Sequence, residues 1–301
     1  MTTAPLPPLD WPGTLVETDW LAANLGHPAL RIIDMRGYVT TTLTEHGKQQ
    51  ARYLGARDEY DAAHVPGASY IDWTTDIIDP DDPIPAQLAT PQRFAALMAR
   101  LGIGDEAHVV IYDHKGTQFA TRMWWALGHY GHDNAAILNG GWAKWAAEGR
   151  STEMAEPSYP PATFTPKAGR QGRKTAREVL AHSEGGDAII VDTRDREQYT
   201  GAAVRGQQGG HIPGALSLPS AQLFTSAGTW KSDEELRKTV ADAGLDAQPD
   251  LSIVAYCNGG VAATTVLFAL DRLGRPGHNY DGSWNEWGND LSLPARQGDT
   301  P

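Results

Sequence analysis

Cys257 is the only cysteine in 301 residues, and its neighbours give it chemistry. It follows an apolar run, Leu251-Ser-Ile-Val-Ala-Tyr256, that reads as a buried strand. Asn258-Gly259-Gly260-Val261-Ala262 comes next, and the spacing predicts a helix from Gly260 to Leu273, closed by Gly274. Paired glycines between strand and helix let successive N–H groups turn inward, and the helix N-terminus adds positive partial charge. Such a turn favours a thiolate and an anion beside it. A lone cysteine is commonly a small buried hydrophobe, but one placed in a Gly-rich strand-to-helix turn reads as a nucleophile.

The elements that position this turn occur twice. His64-Val-Pro-Gly-Ala68 returns as His211-Ile-Pro-Gly-Ala215, and Gly140-Gly-Trp-Ala-Lys-Trp145 as Gly282-Ser-Trp-Asn-Glu-Trp287. Ile33-Asp-Met-Arg36 matches Val191-Asp-Thr-Arg194, and Val110-Ile-Tyr-Asp113 matches Val254-Ala-Tyr-Cys257. Four collinear matches at nearly constant offset mean two copies of one domain. We place them at 12–148 and 173–292, joined by a Pro- and Ser-rich linker at 149–172. In the second copy Ala188–Asp192 and Ala215–Leu218 read as strands, and Glu234–Ala243 as an amphipathic helix closed by Gly244. Strands alternating with helices predict an α/β fold with mainly parallel sheets flanked by helices. Ligands then bind beyond the carboxyl ends of the strands, where Cys257 lies. A polar insertion near 41–52 in the first copy reads as a solvated surface excursion, with shaping of the cleft from the first copy as the alternative.

Several segments resemble the rhodanese family of sulfurtransferases in its tandem two-domain form. They are Asp192-Thr-Arg194 with Gly210-His-Ile-Pro-Gly-Ala215, Tyr280-Asp-Gly-Ser-Trp-Asn-Glu-Trp287, and the matching pieces of the first copy, including Arg122-Met-Trp-Trp125. The resemblance covers nearly the whole chain. It implies a catalytic Cys257 in a six-residue active loop formed with Asn258, Gly259, Gly260, Val261 and Ala262, whose amides converge on the sulfur. It implies that only the second copy is catalytic, and the first carries Asp113 at the matching position, which cannot accept a sulfane sulfur. A small anionic donor would pass its outer sulfur to Cys257. A thiol such as thioredoxin or glutathione, or cyanide, would take it, with no metal or organic cofactor. The neutral, small Asn258-Gly259-Gly260 is nearer the 3-mercaptopyruvate branch than the thiosulfate branch, although Gly259 replaces that branch's Ser or Thr. Arg205 is the best match for a substrate-binding arginine, with Gln198 at another expected arginine position. His64 and Arg122 are further substrate-binding candidates on the first-copy side of the cleft. Asp192, Arg194, His211, Trp284 and Trp287 read as structural.

Composition removes other classes. With 41% hydrophobic and 21% charged residues each copy can bury a core. A net charge of −12 argues against nucleic acid or anionic membrane as partner. No apolar run is long enough for a membrane span, and no basic n-region precedes one, so the cytoplasm is the expected location. A phosphatase on this loop would need an arginine six residues after Cys257, where Ala263 stands. The rival from another class is a passive sulfur carrier or redox-sensing module built on the same cysteine.

Overall fold

Short runs of β-branched and aliphatic residues build two parallel sheets in a computed structural model that describes residues 9–115 and 117–301. In the first unit the strands are β1 (Leu15–Val16), β2 (Leu30–Asp34), β5 (Ala68–Tyr70), β6 (His108–Tyr112) and β7 (Ala135–Leu138). Between β2 and β5 lies an antiparallel hairpin, β3 (Gly37–Leu43) and β4 (Gln49–Gly55). In the second unit the strands are β8 (Gly172–Lys174), β9 (Ala188–Asp192), β10 (Leu216–Ser217), β11 (Ser252–Tyr256) and β12 (His278–Tyr280).

The first sheet runs β1-β7-β6-β2-β5 and the second β8-β12-β11-β9-β10, so each strand has its counterpart in the same place. Every pairing in both sheets is parallel. The central strands are buried on both faces, as Val109–Tyr112 and Ile253–Tyr256 show, which is what helices on both sides of a parallel sheet require. The hairpin is the first unit's own addition. It replaces the expected surface excursion near 41–52. Its β3 residues after Gly37 face solvent, the apolar Tyr38, Val39 and Leu43 among them, whereas near the end of β4 Tyr53 meets Arg205 of the second unit.

Helix ends follow local chemistry. The helix Asp233–Asp242 starts at a reciprocal capping box between Ser232 and Glu235, and Ala176–Gly185 starts at another between Thr175 and Glu178. Two helices lie at the middle of the molecule: Gln118–His129 after β6, and Ala263–Arg272 after β11. Both are buried on nearly every face and pack on each other across the two units. Trp124 meets Phe268 edge-on at 5.0 Å, and Thr121 Oγ1 lies 2.9 Å from Thr264 Oγ1. A single hydrophobic core therefore runs from one unit into the other. No helix among the described residues is long and apolar enough to cross a membrane.

Candidate active site

The strand β11 delivers Cys257 to the carboxyl end of its sheet, and the chain then circles through residues 258–262 before the helix begins. The helix starts at Ala263 instead of Gly260, because Gly260 takes φ +69°, outside the helical region. A Cβ on Gly260 would sit 2.6 Å from Asp281 Oδ1, so both backbone and space demand glycine. Ser283 Oγ closes the loop from beneath. It accepts the amides of Cys257 (3.1 Å) and Gly260 (3.0 Å) and donates to the Tyr280 carbonyl (2.6 Å). Ser283 holds φ +50° to do so, a strained conformation for a residue with a Cβ.

The first unit shows what such a loop holds. Asp113, at the position of Cys257, is fully buried. Its carboxylate accepts the amides of Lys115 (2.9 Å), Thr117 (2.9 Å), Phe119 (3.1 Å) and Ala120 (3.2 Å). Amides converge there on a negative group supplied by the chain itself. In the second unit the Cys257 thiol is shorter than a carboxylate, and no hydrogen bond to Sγ is found among the described residues. The amides of Asn258, Gly259, Val261 and Ala262 likewise find no acceptor among the described residues. The loop thus sets backbone N–H groups around a thiol, where the first unit sets them around a carboxylate.

Cys257 is 4% exposed and is reached through a cavity of about 190 Å³ between the units. Asn258, Gly259, Val261 and Ala262 line it from the loop, and Arg205, Gln198 and Ser220 from the rest of the second unit. Tyr53, Val39 and Trp73 line it from the first unit. Gln198 is fixed by Asp195, which accepts its amide (2.8 Å) and its Nε2 (3.0 Å), and Asn258 donates to Gln198 Oε1 (2.9 Å). Arg205 donates from Nη2 to Tyr53 Oη at 2.7 Å and has no carboxylate partner among the described residues. Arg194, the other cation on the cavity wall, is committed elsewhere. Burial opposes its charge, but Asp192 outweighs that and holds its pKa above the ordinary arginine value. Its guanidinium lies 4.2 Å from the Trp284 ring, which with Trp287 is core. Arg36, Asp34 and Trp142 repeat this arrangement in the first unit.

Two expected substrate-binding residues lie elsewhere. His64 is fully buried away from the cavity, stacked on Tyr60 at 3.9 Å. Its ring nitrogens meet the carbonyls of Tyr60 (2.8 Å) and Ala155 (3.2 Å). His211 has the same environment, so both histidines are turn-locking elements of the repeat. Arg122 does come from the first unit to the loop, but behind it. It pairs with Asp281 (2.5 Å) and donates to the carbonyls of Gly260 (3.2 Å) and Ala86 (2.9 Å), and it is buried outside the cavity lining. It is a buttress of the loop. Tyr53 and Ser283 were not singled out from the sequence as parts of the site. For Ser283 a signal exists: the repeat has Gly141 at its position, also at positive φ, and only the cysteine-bearing copy replaces that glycine with a hydroxyl.

The Rhodanese-like domain model matches residues 17–148 and 175–290. Thiosulfate sulfurtransferase of Cricetulus griseus is 35% identical over 286 residues, covering 91% of this chain and 91% of that one. The sulfur carrier protein TtuD of Thermus thermophilus is 33% identical, covering 96% and 98%. Among solved structures, SseA of Escherichia coli, described as a 3-mercaptopyruvate sulfotransferase, superposes with a TM-score of 0.78 at 31% identity. That match covers 90% of this chain and 99% of SseA.

Proposed function

The chain belongs to the rhodanese-like family as a tandem-domain sulfurtransferase of the thiosulfate/3-mercaptopyruvate type, and we propose that it works through a persulfide on Cys257. The Cys257 thiolate attacks the outer sulfur of the donor and forms a new S–S bond. The bond between that sulfur and the rest of the donor breaks, and its electron pair leaves with sulfite from thiosulfate, or with pyruvate enolate, then protonated, from 3-mercaptopyruvate. The terminal sulfur of the persulfide carries the negative charge into the amides of the loop. An external thiolate or cyanide then attacks that sulfur and returns Cys257 to the thiolate. With no second cysteine in the chain, the acceptor thiol must come from outside, for example from thioredoxin or glutathione.

One observation carries this reading. Two of the amides that bind the Asp113 carboxylate in the first unit, those of Lys115 and Thr117, have counterparts at Gly259 and Val261 beside Cys257 that meet no acceptor among the described residues. A persulfide extends the side chain by one atom toward the reach of a carboxylate, and preorganised donors stabilise charge at little reorganisation cost.

The donor is inferred from the cavity wall. Arg205 is its one cation without a carboxylate partner among the described residues, beside neutral Gln198, Asn258 and Ser220. One guanidinium suits the carboxylate of 3-mercaptopyruvate better than the dianionic thiosulfate, so we favour the former as donor. A single reactive thiol kept reduced fits the cytoplasm.

Intact-protein mass after incubation with each donor tests the reading. Wild type should gain about 32 Da, one sulfur, and Cys257→Ala none. No gain with either donor would end the persulfide mechanism. Loading without steady-state turnover on small thiols or cyanide would turn the chain into a sulfur carrier.

A further inference from the structure

The hairpin β3–β4 reaches from the unit without the nucleophile onto the wall of the cavity. It docks on the backbone beside Arg205: the Gln49 amide donates to the Val204 carbonyl at 2.7 Å, and the Lys48 side chain, through Nζ, to the Gly206 carbonyl at 3.1 Å. Those contacts flank Arg205 on both sides. Tyr53, near the end of β4, rests its ring on Trp73 with centroids 5.1 Å apart. Its hydroxyl oxygen accepts from Arg205 Nη2 (2.7 Å) and from Asn285 Nδ2 (3.1 Å). That oxygen also lies over the active loop, 3.6 Å from where a Cβ on Gly259 would be.

A phenol oxygen that already accepts two N–H donors has its own proton left to give. No acceptor among the described residues takes that proton, and Tyr53 lines the same cavity as Cys257. The hydroxyl and the remaining guanidinium N–H groups of Arg205 are therefore adjacent donors with no acceptor among the described residues. Two such donors side by side make a built receptor for an anionic oxygen.

We propose that Tyr53 is a donor-binding residue supplied by the non-catalytic domain, its O–H acting with Arg205 on the anionic oxygens that flank the transferable sulfur. These oxygens belong to a carboxylate in 3-mercaptopyruvate and to a sulfonate-like group in thiosulfate. The proposal rests on the assignment of Arg205 to donor binding. It gives the first domain a direct part in substrate recognition, and it explains why the hairpin, absent from the second unit, is docked at Arg205.

Steady-state kinetics on the full chain with each donor and cyanide as acceptor test it, using Tyr53→Phe, Arg205→Met and the double variant. Phenylalanine keeps the ring on Trp73, so thermal stability should stay within a degree or two of wild type, and the change isolates the hydroxyl. Losing a hydrogen bond to a charged group should raise the donor KM about ten-fold, while the cyanide KM moves by less than about two-fold. The double variant should be much less impaired than the product of the single effects. If Arg205→Met raises the donor KM and Tyr53→Phe does not, the proposal is overturned and the role of Arg205 stands. If neither variant moves it, the donor-binding role of Arg205 falls and takes the proposal with it. Equal losses in both KM values with a lower melting temperature would make Tyr53 a structural residue and overturn the proposal.

Discussion

Gly260 and Ser283 show how much of this chemistry is fixed by single backbone positions. Both have positive φ, one because nothing larger than hydrogen fits against Asp281, the other because its hydroxyl must meet two loop amides. Gly260→Ala puts a Cβ into the Asp281 carboxylate and adds about 1–2 kcal/mol of backbone strain. A loop displaced by about an ångström loses roughly a hundred-fold in rate. We therefore expect sulfur loading of Gly260→Ala, followed by rapid-quench mass measurement, to fall by about that factor while the fold persists. Loading at the wild-type rate would show that the loop tolerates the side chain. At this scale the sequence was informative where residue type is itself chemical: a lone thiol before two glycines, and an aspartate at the same place in the other copy. It was silent on Tyr53, because a tyrosine at the end of a polar strand carries no mark of the cavity it faces. His64 misled for the opposite reason. Its motif matches the family, but two carbonyls and a stacked tyrosine already occupy its ring.

The elements explain why the first domain matters although it lacks a nucleophile. Its helix Gln118–His129 carries Arg122 into the gap behind the active loop, where Arg122 holds the Gly260 carbonyl and pairs with buried Asp281. Asp281 in turn accepts the Leu88 amide (3.0 Å) and faces Arg173 Nε (3.2 Å), so charge and backbone from three segments meet at one carboxylate. Removing one partner of a fully buried pair leaves the other desolvated, at a cost of about 3–5 kcal/mol. Arg122→Met, which keeps the volume, should lose that much stability in urea titration. It should also slow sulfur loading, since the loop loses a fixed carbonyl. A variant as stable as wild type would mean that Arg173 alone satisfies Asp281. The strands around this network were legible as apolar runs, and Ala188–Asp192 came out with the expected ends. The hairpin was not. Its threonine run suits the solvent face of β3, and the bond of the Gln49 amide to the Val204 carbonyl leaves no trace in side-chain pattern.

At the level of the molecule, the duplication was readable from motif order, while the way the two copies meet was not. A clue lay in Gln118–His129 and Ala263–Arg272, whose apolar residues spread too widely for one face, since such a helix must be covered on most sides. In the structure each covers the other. Trp124 on Phe268 and the paired threonines Thr121 and Thr264 make the interface continuous with both cores. Domains within one chain usually meet through smaller, more polar surfaces and move independently. Here the interface is core, and unfolding one unit would expose the central helix of the other. The two units should therefore unfold together. Differential scanning calorimetry should give one transition, with calorimetric and van't Hoff enthalpies in agreement, in spite of a chain length at which two-state behaviour often fails. Two resolved transitions would show that the helices can part while each unit stays folded. The cleft that places Tyr53 and Arg205 on opposite domains would then be free to open between turnovers.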